Sequence, residues 1–86
     1  GVDVRADVYA LGATLYYLLT GGPPFPEGTI PQKLIWLRTR NPRPVREVRP
    51  EVSDGLAAVV ARMMAKNPAD RFQTPAAVAE ALAPWT

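Results

Sequence analysis

The sequence has no cysteine and no histidine in its 86 residues. Without cysteine there are no disulfides and no thiolate metal sites. Without histidine there is no Ser-His-Asp or Cys-His nucleophile system and no His-ligated zinc. No apolar run approaches a membrane span, and no cleavable signal pattern opens the chain, so a cytoplasmic location is expected. A glycine-rich turn opening a helix is also missing. The one glycine pair, Gly21-Gly22, follows a helical stretch, where the helix dipole favours cations over phosphate. The residues themselves therefore offer no catalytic, cofactor-binding or metal-binding site.

What is present reads as a globular chain. Hydrophobic residues make up 48% and charged residues 21%. Area scaling for this mass gives roughly 63% of the unfolded surface buried on folding, a marginal core without staples. Net charge is +2. The basicity is local: Arg38, Arg40, Arg43, Arg46 and Arg49 cluster with only Glu47 against them. Such a run can meet phosphate. Broken by Pro42 and Pro44, it forms no single helical face and reads as a solvated loop, so no nucleic-acid partner is expected.

Proline and glycine divide the chain into four helical segments with no sustained strand alternation, which predicts an all-α fold. The first spans about 5–20, with Asp3 as candidate N-cap and Asp7 in the early turns. From Val8 to Leu19 it carries no charge. A helix apolar all round is buried all round, and three other short helices hardly suffice to surround it. The second spans about 30–40 behind Thr29, followed by an irregular connector over 41–52. The third, about 54–66, opens at Ser53 and repeats Leu56, Val59, Val60, Met63 and Met64 at core spacing. The fourth, about 75–83, has Thr74 as cap and Pro75 at its first position; Trp85 lies just beyond, placed to cover exposed core.

Two charges look out of place. Asp3 and Asp7 lie four apart, better suited to capping than to catalysis. Asp7 nonetheless sits on a helix read as buried, where a carboxylate needs hydrogen bonds or a cation. Arg71, between two helices beside Phe72, reads either as a surface arginine with its neighbour Asp70 or as an inward arginine pairing a carboxylate. No acid in the chain is an obvious partner, so Arg71 is expected to be unpaired or solvated here.

The stretch Asp3-Val-Arg-Ala-Asp7-Val-Tyr-Ala-Leu-Gly12-Ala-Thr-Leu-Tyr16-Tyr-Leu-Leu-Thr-Gly21-Gly-Pro23-Pro24-Phe25 resembles the helix-F region of eukaryotic-like protein kinases. The family pattern there is Asp-x-Arg-Ser-Asp-Val-Tyr-Ser-Leu-Gly, then Leu-Tyr-Glu-Leu-Leu-Thr-Gly-x-Pro-Pro-Phe. Ala65-Lys66-Asn67-Pro68-Ala69-Asp70-Arg71-Phe72 resembles the later signature Lys-x-Pro-x-x-Arg-(Phe/Tyr). Order and spacing also fit, and the alanine- and arginine-rich style is similar to bacterial serine/threonine kinases.

The resemblance implies that residues 1–86 are the C-terminal part of a kinase domain, helices F to I of the large lobe. The ATP-binding lobe, catalytic loop and activation segment would precede it in a parent protein using ATP and Mg²⁺ on protein substrates, and this chain alone would be inactive. It further implies scaffold roles. Asp7 matches the aspartate that holds the catalytic-loop backbone. Arg71 matches the arginine pairing the glutamate that ends the activation segment, and Tyr9 an aromatic beside that pair. Gly12 matches a close-packing glycine, and Leu18 an apolar support of the hydrophobic spine. Tyr17 departs from the family, which often has Glu there, so an Arg-directed substrate preference is not implied. Two other readings stay open: a stand-alone helical interaction module docking through Ile35, Trp36 and Leu37, and an Arg-rich nucleic-acid-binding segment.

Overall fold

The structure of the protein, a computed structural model, describes residues 4–85, with the side chains of residues 37 and 38 left out of that description. Asp3, the candidate N-cap, lies outside the described residues. The helices are α1 (Val4–Thr20), α2 (Ile30–Thr39), α3 (Val45–Val48), α4 (Asp54–Met63) and α5 (Pro75–Leu82). Single 3₁₀ turns cover Pro68–Asp70 and Ala83–Trp85, and no strand occurs among the described residues. The fold is all-α.

The helix starts follow from capping. Thr29 accepts from the Gln32 amide while the Gln32 side chain accepts from the Thr29 amide, a reciprocal capping box. Ser53 accepts from Leu56 N at 3.2 Å, and Thr74 from Ala77 N at 3.1 Å, with Pro75 behind it. The connector over 41–52 is less irregular than expected. Pro44 enters extended, the proline-free stretch behind it closes one turn as α3, and Pro50 forces Arg49 out of helical geometry. That turn buries Val45. At the other end, α4 stops before the expected boundary at 66, because Met64 leaves helical geometry and Asn67 precedes Pro68.

α1 packs on α4 through Val8, Gly12 and Tyr16, all buried. Gly12 makes the approach possible: a Cβ there would sit 2.8 Å from Met63 Cβ and 2.9 Å from Met64 Cγ. Two core clusters flank this crossing. Val8, Met63, Phe72 and Val78 form one, and Tyr16, Val45, Val60 and Met64 the other. Tyr16 Oη donates to the Arg43 carbonyl at 2.7 Å, and Arg49 donates to the Leu19 carbonyl at 3.2 Å, tying the connector to α1. Trp85 stays 42% exposed and lies over Gly55, where a Cβ would meet its ring at 3.1 Å.

The molecule measures 37 × 36 × 17 Å. A helix with side chains is about 10–12 Å across, so a 17 Å slab cannot cover α1 on both sides. Its surface, 5650 Å², exceeds the roughly 5,000 Å² of a compact monomer of this mass. Accordingly α1 is not buried all round as its sequence suggests: Leu11, Tyr17 and Leu18 are exposed.

Candidate functional site

Arg71 follows the 3₁₀ turn Pro68–Asp70, which Asn67 caps by accepting from Ala69 N at 3.0 Å. The turn delivers the arginine inward. Its Nε donates to the Ala65 carbonyl at 2.8 Å and its Nη1 to the Arg5 carbonyl at 3.1 Å. Its guanidinium lies 4.8 Å from the centre of the Tyr9 ring. The expectation of a solvated Arg71 is therefore corrected. Among the described residues its partners are carbonyls near the ends of two helices, not an acid.

Lys66 joins this cluster, a role the sequence did not reveal. Its Nζ donates to the Trp36 carbonyl at 3.1 Å, lies 5.3 Å from the Phe25 ring centre and 5.9 Å from that of Tyr9. Desolvation and then the Arg71 charge pull its pKa below the ordinary lysine value. Burial raises the Tyr9 phenol above its ordinary value, with Arg71 opposing. The Tyr9 hydroxyl is buried without a hydrogen-bond partner among the described residues. A buried unsatisfied hydroxyl costs about 1–3 kcal/mol, so Tyr9→Phe is expected to stabilise the chain by about 1 kcal/mol in urea unfolding. A destabilised variant would mean that the hydroxyl has a partner in solution.

Asp7 is exposed: α1 does not bury it, and it is solvated as expected for a carboxylate whose partner lies outside the chain. It shares an outward stripe of α1 with Leu11 and Leu18, at i, i+4 and i+11. Leu18 is 68% exposed and its neighbour Tyr17 53%. The expected scaffold residues thus divide: Tyr9, Gly12 and Arg71 lie toward the packed side, Asp7 and Leu18 on the uncovered side.

The expected docking trio also divides. Ile35 is exposed, whereas Trp36 is half-buried, 6.1 Å from Phe25 and stacked by Arg40 at 4.9 Å. The Leu37 side chain lies outside the described residues. Ile30 and Leu34 are the other exposed apolar positions of α2, and their i, i+4 spacing was the available signal. In the arginine run, Arg46 pairs with Asp54 and donates to the Val52 carbonyl, and Arg49 pairs with Glu51.

No group of three acidic, His or Cys residues among the described residues is placed to hold a metal ion. No glycine-rich turn opens a helix among the described residues, and no chemical step is assigned to them. No helix among the described residues is long and apolar enough to cross a membrane.

The two motif regions meet in space: Tyr9 and Phe25 from the first, Lys66 and Arg71 from the second. No family model matches the chain. It is 45% identical over 82 residues to the serine/threonine-protein kinase Pkn1 of Myxococcus xanthus, covering 95% of this chain. It is 45% identical over 76 residues to the serine/threonine-protein kinase PknB of Mycobacterium leprae, covering 87% of this chain. A probable serine/threonine-protein kinase of Corynebacterium efficiens is 43% identical over 82 residues. The chain is homologous to a segment of bacterial serine/threonine protein kinases. It spans 12% of the length of each of these relatives. In this segment the Tyr9–Arg71 contact joins α1 to the residue that follows the Pro68–Asp70 turn.

Proposed function

We propose that this segment is the C-terminal part of a serine/threonine kinase catalytic domain and acts as its scaffold. The whole protein would transfer a phosphoryl group from ATP, with Mg²⁺, to serine or threonine of a protein substrate. The catalytic parts would lie on the preceding polypeptide, and this segment would be inactive alone. The observation that carries the reading is the outward face of α1, apolar through Leu11 and Leu18 and ending in the exposed carboxylate of Asp7. A core-forming helix with such a face calls for a covering layer. The preceding kinase polypeptide is that layer in our reading, with Asp7 accepting from catalytic-loop amides and Leu18 supporting the hydrophobic spine. Arg71 would add the activation-segment glutamate to the carbonyls it already holds, beside Tyr9. The exposed Ile35 side of α2 would meet protein substrates or partners.

The test is Asp7→Ala in the whole protein. Misplacing the catalytic loop without touching the ATP lobe lowers turnover about tenfold or more while nucleotide affinity stays near wild type. Unchanged turnover, or an equal loss in nucleotide affinity, counts against the assignment.

A further inference from the structure

The scaffold reading leaves unused a cavity between the connector over 41–46 and α4. It encloses about 350 Å³, within the range of small-ligand sites. Its floor is core: the side chains of Tyr16, Val60 and Met64, all buried. The floor stays open because α4 lines the cavity with alanines, Ala61 among them, where longer side chains would close the gap.

The connector side of the lining carries two cations, Arg43 and Arg46, and Arg46 is already committed to Asp54. Arg43 is exposed and has no carboxylate partner among the described residues. The Tyr16 hydroxyl pins its carbonyl at 2.7 Å, and its guanidinium is near enough to act on the Tyr16 phenol. Glu47 also acts on that phenol but lies outside the lining. The connector wall includes two prolines, which have no N–H, and the α4 amides are used within the helix. The cavity therefore presents no row of main-chain donors to an extended peptide. What it offers is an apolar body space and one uncommitted guanidinium.

We propose that this cavity binds a free medium-chain aliphatic carboxylate, its chain on the Tyr16–Val60–Met64 floor and its head on Arg43. The cavity, about 350 Å³, has room for a chain the size of octanoate. The experiment is methyl NMR titration of the chain with octanoate below its micelle-forming concentration. Saturable shifts are expected at Val45, Val60, Ala61 and Met64. Octanol should bind at least about tenfold more weakly, and octylammonium more weakly still. Arg43→Glu, an exposed change that leaves the core intact, should weaken octanoate about tenfold or more. Ala61→Leu should abolish binding while the spectrum stays dispersed. The proposal is overturned by absence of saturation, by equal affinity for octanol, by indifference to Arg43→Glu, or by shifts confined to Leu11 and Leu18.

Discussion

Arg71→Ala is expected to destabilise the 86-residue chain by about 2–4 kcal/mol in urea unfolding. Two charge-assisted hydrogen bonds to carbonyls and a stacked aromatic ring are lost together, each worth about 1–2 kcal/mol at a half-buried site. The loss is also topological. Arg71 holds the Ala65 carbonyl just after α4 and reaches the Arg5 carbonyl near the start of α1, 66 residues away in sequence. Arg71→Lys should recover less than half, because the single ammonium nitrogen lacks the planar spread by which Nε and Nη1 reach two separate carbonyls. In the whole protein of the proposed reading the penalty should rise further, toward the 3–5 kcal/mol or so typical of breaking a buried ion pair, if an activation-segment glutamate docks there. A change below about 0.5 kcal/mol in the chain would show that these contacts do not hold in solution.

Gly12→Ala should also destabilise, by about 1–3 kcal/mol. The sign is the informative part. Mid-helix glycine to alanine normally gains about 1 kcal/mol from helix propensity. Here the added Cβ meets Met63 Cβ at 2.8 Å and Met64 Cγ at 2.9 Å. The Met64 side chain can rotate away, but the Met63 Cβ is fixed to the α4 backbone, so α1 and α4 must separate. A second change, Met64→Ala, should therefore fail to restore stability. A Gly12→Ala chain more stable than wild type would mean that the helices cross less closely than described.

Helix identity was legible in the sequence because caps and breakers are local chemistry. Thr29, Ser53 and Thr74 each open a helix, and Met63 and Met64 stand in the core as their spacing predicts. The α3 turn was missed because three prolines dominate the connector, and only burial of Val45 distinguishes the turn. The uncharged run of α1 calls for more cover than three short helices supply, and Leu11, Tyr17 and Leu18 are exposed accordingly; which face stays open is not legible, since sequence reports apolarity and not which neighbours cover it. The partners of Arg71 were missed for a related reason. A search for acids overlooks backbone carbonyls, which are present everywhere and visible only once helix ends are placed. The same limit hid Lys66, whose acceptor is the carbonyl of Trp36.

The central claim is that preceding kinase polypeptide covers the outward face of α1. The chain's lack of cysteine makes a direct test simple. Leu18→Cys introduces one thiol at the most exposed apolar position of that face. Its rate of reaction with a thiol reagent is measured in the 86-residue chain and in a longer polypeptide carrying the preceding kinase region, with other cysteines replaced. The account predicts labelling at the rate of a free thiol in the chain, and on the order of a hundredfold slower in the longer polypeptide, where reaction must await local opening. Equal rates in the two would leave the face of α1 uncovered and contradict the scaffold assignment.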